Sequence, residues 1–227
     1  EKTLGNYWLK SFGGIIAVTP EILDYELERS SFKGAHAFIP NSIPQMANSL
    51  SPNQPEGPLK MVMVANFRPW HGLDQIIEGL EKSTGQSHDF ELHLVGDIPE
   101  NQQSKLAKFS NVHVYGHLPY EQIEKLYRKM HLGIAGYNLG SKNMKEATAL
   151  KVREYFANGL AVVIGYKDPA FPADFPFLLE TNEFNIPDIL QFYNKTIKTP
   201  KNIIAQSAEP WVSSKYVLRK LYDFCTK

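Results

Sequence analysis

Short apolar runs alternate with longer stretches of mixed apolar and charged residues along most of this chain. From residue 59 onward the alternation is regular. Apolar runs at 59–65, 90–95, 112–115, 132–135 and 160–164 predict five strands, most of them closed by glycine or another turn residue. Between them, 73–82, 100–109, 119–130 and 148–158 have the apolar spacing of helices. In the third of these, proline stands at the start and Ile123, Leu126 and Met130 share one face. Strands that alternate with helices require right-handed crossovers and a parallel sheet. The expected fold class is α/β, a doubly wound, Rossmann-like parallel sheet with C-terminal helices.

The flanking segments are less regular. Residues 1–12 read as a helix ended by Gly13-Gly14, and 15–18 as a short strand. Thr19-Pro20-Glu21 starts a helix over 20–29, with Thr19 as N-cap, proline at the first helical position and an acid in the first turn. Residues 35–39 form a strand ended by Pro40. Five prolines among Asn, Ser and Gln make 40–58 the best linker in the chain. In the tail, 167–176 reads as loop, 177–180 as an edge strand, and 186–197 and 210–224 as helices.

Composition narrows the classes. Lys+Arg and Asp+Glu balance at 24 each over 227 residues, so any anionic ligand must be held by a local cluster, and a nucleic-acid partner is not expected. The single cysteine, Cys225, excludes an internal disulfide and fits a reducing compartment. No apolar run approaches the roughly 20 residues that span a bilayer. No leader is recognisable, and the opening Glu-Lys-Thr without Met suggests a piece of a longer protein.

In an open α/β sheet, ligands bind at the C-terminal ends of the strands. Those ends are 66–72, 96–97, 116–118, 137–147 and 166–169. In the first, Gly72 at a helix start would let backbone amides approach a phosphate, and Arg68 and His71 add charge. The competing account is a loop whose Trp70 packs on its own helix. G-x-G-x-x-G, the P-loop pattern, Asp-x-Asp, G-x-S-x-G and H-E-x-x-H are all missing from the sequence. His93 and His113 alternate with apolar strand positions and read as core or edge histidines. His113 and His117 straddle a strand end, so a zinc site is not expected.

The stretch 141–165 carries the most chemistry: a loop, a helix, the stop Gly159 and a buried strand. Glu146 and Glu154 are eight positions apart, with Lys151 and Arg153 between them. On one helix that separation is about 12 Å, suited to hydroxyls at opposite ends of an extended ligand. It is too long for a hydrolytic pair, which needs roughly 5 to 9.5 Å. Ala147, Thr148 and Ala149 are small and would leave the first-turn amides open to a phosphate. Spacing alone is met equally well by a solvated amphipathic helix with Lys and Glu on its outer face.

Glu-x7-Glu running into Glu154-Tyr155-Phe156-Ala157-Asn158-Gly159 resembles the signature of the retaining glycosyltransferases of family 4. Ala65-Asn66-Phe67 with Trp70-His71-Gly72, Leu94-Val95-Gly96-Asp97, and Val112-His113-Val114-Tyr115-Gly116 are similar to that family's other strand ends. They look most like a bacterial subgroup that assembles capsular or surface polysaccharide. The resemblance implies a GT-B fold, two Rossmann-like domains with the site between them. Residues 1–40 would be the end of the acceptor domain, 41–58 a linker and 59–227 the donor-binding domain.

The resemblance also implies roles. Glu154 would hold the ribose hydroxyls, and Glu146 would touch donor-sugar hydroxyls near the reacting carbon as the catalytic residue. Lys151 and the amides of Ala147, Thr148 and Ala149 would face the diphosphate. Asn66, Arg68, His71, Gly72 and Gly96 would line the donor site, and Gly116 and His117 the base. The donor would be a UDP- or GDP-sugar and the acceptor a glycan or lipid-linked glycan. No cofactor or metal is expected, and the whole enzyme would be cytoplasmic, at or near the inner face of the membrane. Two departures stand out. The family's usual Gly-Arg and Lys grip on the diphosphate is replaced by Ala65-Asn66 and His71, and the acceptor half is largely missing, so the fragment alone would be inactive. A sugar-nucleotide epimerase of the same fold and a non-catalytic nucleotide-binding module are the alternatives.

Overall fold

A computed structural model describes residues 8–9, 11–44, 46–47, 50, 52–85 and 89–226. Its centre is a six-stranded, wholly parallel sheet in the order β5-β4-β3-β6-β7-β8. The strands are β3 (Leu59–Val64), β4 (Phe90–Val95), β5 (Val112–Val114), β6 (Leu132–Ala135), β7 (Ala161–Ile164) and β8 (Leu178–Glu180). Every residue of β6 and β7 is buried. Unbroken apolar runs of this kind form strands covered on both faces. The helices that cover them are α2 (Leu73–Lys82), α3 (Glu100–Leu106), α4 (Tyr120–Tyr127) and α5 (Leu150–Ala157).

The five expected strands are present, and the edge strand expected at 177–180 is β8. The chain runs outward from β3 to β5, then crosses back to β6 beside β3, where Met61 pairs with Leu132 and Val62 with Gly133. This reversal opens a crevice between the ends of β3 and β6, where doubly wound folds bind ligands. Tyr155 of α5 locks the reversal. Its hydroxyl donates to the Ile134 carbonyl (3.2 Å) and accepts from the Val64 amide (3.0 Å), bridging the two strands. Gly133 makes room for it, since a Cβ there would lie 2.2 Å from the Tyr155 ring.

A separate βαβ unit precedes the sheet: β1 (Gly14–Ala17), α1 (Pro20–Ser30) and β2 (Ala35–Phe38), with β1 and β2 parallel. Thr19 caps α1 as expected, its hydroxyl accepting from the Ile22 amide. Ile15, Ala17 and Leu23 form its own small core. The expected helix over 1–12 falls mostly outside the described residues.

The described residues of the proline-rich segment that follows are packed rather than loose. Asn41 bonds Thr148 through both its backbone and its side chain. Ile43 makes a bridge to Ser213, and the Pro55 carbonyl lies 2.8 Å from His131 Nε2.

The tail holds α6 (Ile186–Thr196), α7 (Lys201–Val212) and α8 (Ser214–Cys225). The sequence placed a helix start at Pro210. Instead Pro210 lies in the last turn of α7. The break falls at Ser213, which is extended, caps α8 and pairs with the linker. The Phe224 ring of α8 packs over Gly14, 3.0 Å from where a Cβ would stand, so the last helix returns to the first strand. Among the described residues no helix is long and apolar enough to cross a membrane.

Candidate active site

The loops after β3 and β6 are laced together beside the crevice. A 3₁₀ turn, Pro69–His71, follows β3, and Gly72 ends it with φ 72°. A Cβ at Gly72 would lie 2.7 Å from Tyr137 Cβ and 2.9 Å from the Asn138 amide. Gly72 is therefore needed for the close approach of the two loops. Tyr137 donates its amide to the His71 carbonyl at 3.0 Å. His71 Nδ1 accepts from the Arg68 amide at 3.0 Å. In the neutral ring the proton is then on Nε2, which becomes a donor.

A cavity of about 510 Å³ lies at the C-terminal ends of β3 and β4, lined by Ala65, Asn66, Arg68, Trp70, His71, Gly96, His117 and Lys151 among others. A smaller one of about 220 Å³ shares Trp70, His71 and Lys151 and adds Lys142, Ala147, Ala149 and Tyr166. Four bases, Arg68, His71, Lys142 and Lys151, thus converge from two loops and a helix. The Lys151 ammonium is buried without a hydrogen-bond partner. Burial lowers its pKa to about 8, against the pull of Glu154. Burial, followed by the charges of Lys151, Lys142 and Arg68, lowers His71 to about 4. Lys142 stands over the Trp70 ring, 3.8 Å from its centroid. His71 resists protonation through burial first and neighbouring cations second, and Lys151 through burial, which together mark a place short of negative charge.

Glu154 is half-buried, and burial raises its pKa while Lys151 lowers it. It opens on an adjoining cavity of about 510 Å³ with Tyr120, Glu124 and Asn158. The two expected acids are not on one helix. Glu146 precedes α5 in a parallel bridge with Lys167, so the helical separation does not apply. Its carboxylate accepts from Lys167 Nζ (2.9 Å) and from the Glu21 amide at the start of α1 (3.1 Å). Glu21 answers in kind, its carboxylate accepting from the amides of Lys145 (2.8 Å) and Glu146 (2.9 Å).

The small residues before the helix divide. Ala147 and Ala149 line the smaller cavity, but the Ala147 amide is already given to the Lys167 carbonyl at 3.1 Å. Thr148 is buried and turned away, donating to the Val18 carbonyl and accepting from the Asn41 amide. The helix is not the solvated one that spacing alone allowed. Arg153 is fully buried, paired with Asp168 through both terminal nitrogens and bonded through Nε to the Asn41 carbonyl. Gly96, at φ 125°, would bring a Cβ to 1.8 Å from the Ala65 carbonyl oxygen; its amide donates to the Gly116 carbonyl at 2.7 Å. That bond places the turn carrying His117 on the cavity wall.

Three residues escaped the sequence. Lys142, on the 3₁₀ turn Leu139–Lys142 after β6, belongs to no spacing pattern. Glu21 reads as an ordinary first-turn acid. Tyr120, whose pKa is raised by burial and then by Glu154, reads as a helix start.

The sequence matches the family described as "Glycosyl transferases group 1" over residues 47–172, more than half of the chain. A search of curated proteins finds no match. Among solved structures, a glycosyltransferase from Rickettsia africae superposes with a TM-score of 0.72 at 16% identity, over 98% of this chain and 65% of its own. S. aureus TarM, solved with fondaparinux, alpha-GlcNAc-glycerol and UDP, gives 0.70 at 17% identity, over 97% of this chain and 46% of its own. The lipopolysaccharide outer core galactosyltransferase WaaB gives 0.65 at 12%, over 99% and 78%. These likenesses are to GT-B glycosyltransferases and establish the fold. The chain spans 46% of the length of TarM and 65% of the Rickettsia protein.

Proposed function

The chain belongs to the group 1 glycosyl transferases, and from that premise we propose that it is the donor-binding part of a retaining family 4 enzyme. The donor is a UDP- or GDP-sugar, and the acceptor a glycan or lipid-linked glycan in the assembly of surface polysaccharide. Residues 1–40 end the acceptor domain, 41–58 connect, and 59–227 bind the donor. The separate two-stranded sheet of the βαβ unit, with its own core, supports that division.

The observation that carries the proposal is the buried, unpartnered Lys151 ammonium at the sheet's reversal, on the same cavity wall as His71, which feels its charge and those of Lys142 and Arg68. A diphosphate supplies the missing negative charge. Lys142 and Arg68 take the place of the family's usual grip, and His71 Nε2 donates a neutral hydrogen bond. Glu154, beside Tyr120, accepts from the ribose hydroxyls, and the Gly116 turn with His117 borders the base. During transfer the bond between the sugar's anomeric carbon and the diphosphate oxygen breaks. Charge then grows on that oxygen, where the fixed cations stabilise it most. The acceptor hydroxyl, presented by the acceptor domain, forms the new bond to the anomeric carbon and gives its proton to the departing diphosphate oxygen; the donor-binding part alone binds donor but transfers little.

Glu146 contacts the donor sugar when its carboxylate is released from the start of α1. TarM was solved with UDP, which makes UDP the first probe. Titration calorimetry with UDP, GDP and ADP tests the proposal: binding of UDP or GDP that weakens in Lys151→Met is expected. No binding of any of the three at millimolar concentration would sink it.

A further inference from the structure

On the opposite flank of the sheet, the outermost strand pair carries a second cluster that no part of the donor site uses. Glu91 and His93 are two apart on β4 and so share a face. His113 on β5 is the direct cross-strand partner of His93. Glu91 Oε2 lies 3.1 Å from His93 Nε2 and 3.9 Å from His113 Nε2. One ligand atom from each of the three lies within 4.8 Å of the others. A tetrahedral zinc ion with bonds near 2.1 Å needs its ligand atoms about 3.4 Å apart; the two Glu91 distances are near that, and the two histidines must draw together by turning their rings. The two rings lie 4.8 Å apart and tilted by 31°, so both can turn an Nε2 to one point.

The environment is also suitable. His93 Nδ1 is 2.8 Å from the Tyr115 hydroxyl, a partner that orients the ring from behind as outer-shell groups do around metal-bound histidines. His93 is buried, whereas Glu91 and His113 are half-buried, which leaves a route from solvent. None of these residues borders the donor cavity. Lys60, paired with Glu91 across β3 and β4, is the opposing charge and limits affinity.

We propose that Glu91, His93 and His113 form a binding site for a divalent cation of the imidazole-preferring class, Zn²⁺ or Co²⁺, that clamps the edge strand β5 to β4. Without metal, Glu91 and His93 share the Nε2 proton. The cation takes that proton's place, and the ring's proton sits on Nδ1, where the Tyr115 oxygen accepts it. The fourth position is left to water.

The test uses the whole chain. Co²⁺ titration followed by its visible ligand-field bands, and Zn²⁺ competition against a chelating dye, should show one equivalent bound. His113→Ala and Glu91→Gln should each weaken binding at least tenfold while UDP affinity stays unchanged. His36→Ala, an exposed histidine on β2, should bind as wild type does. Absence of binding at 0.1 mM metal (about a hundredfold above a micromolar site) overturns the proposal. So does binding that survives both His113→Ala and Glu91→Gln, or that is lost in His36→Ala. Because UDP titration is read separately, failure here leaves the donor site standing, and the reverse holds.

Discussion

Lys151→Met separates binding from stability. The change removes the ammonium but keeps an apolar stem of similar length in the same space. In the folded chain the Lys151 pKa falls from 10.5 to about 8. At about 1.4 kcal/mol per unit, holding the proton there costs the fold about 3 kcal/mol. Because the folded pKa lies below the unfolded one, that cost is complete below pH 8 and fades as pH rises from about 8 toward 10.5. At pH 7 the variant should therefore be more stable than wild type by up to about 3 kcal/mol in urea unfolding. The gain should shrink at higher pH. Its affinity for UDP should fall by roughly 1.5 to 3 kcal/mol, the worth of a charge-assisted hydrogen bond, or about 10- to 150-fold. A stability gain coupled to lost binding is the mark of a charge kept for function. A variant that is less stable and binds UDP as tightly as wild type refutes the account of this lysine.

The other predictions use different observables. Diphosphate binding restores the lowered Lys151 pKa, so at pH 8 each UDP should take up as much as about half a proton; calorimetry in buffers of different ionisation enthalpy measures it, and buffer-independent heat contradicts it. Glu154→Ala should lose roughly 1.5 to 3 kcal/mol of nucleotide affinity, and an unchanged dissociation constant removes its ribose role. Asp168→Ala leaves Arg153 buried and unpaired, so urea unfolding should show a loss of about 3 to 5 kcal/mol; a loss below about 1 kcal/mol would mean that solvent reaches the pair.

The strands of the sheet were legible because a parallel strand covered on both faces is an unbroken apolar run, as in β6 and β7. Helix ends were legible where a cap or glycine marked them: α2 lies at the residues expected, and Thr19 caps α1. The break between α7 and α8 was not legible, because it is set by the pairing of Ser213 with Ile43, 170 residues away in sequence. The same holds for chemistry. Lys151 was visible from its place in the helix, but its lack of a partner and the convergence of Arg68, His71 and Lys142 depend on two loops that meet only in the fold. The Glu91, His93 and His113 cluster needs the register of β4 with β5, which no spacing encodes. Glu146 was placed near a helix start, yet the helix whose first turn it contacts is α1 as well as its own.

The eight residues of α5 explain why one short helix carries so much. Val152, Tyr155 and Phe156 are buried, and Tyr155 ties β3 to β6 across the reversal. Arg153 reaches Asp168 and the Asn41 carbonyl, and so fixes the helix to the loop after β7 and to the linker. Those two anchors leave one strip uncommitted, and Lys151 and Glu154, three apart, lie on it. Lys151 opens on the cavity with Arg68 and His71, and Glu154 on the cavity with Tyr120. On the proposed donor reading, a base and an acid held about one turn apart, on a helix that cannot rotate without breaking a buried ion pair, fix the distance between two parts of one ligand. That distance suits a phosphate and the hydroxyls of the ribose joined to it. The rigidity of the helix, more than any single contact, is what would let this chain select a nucleotide over free phosphate.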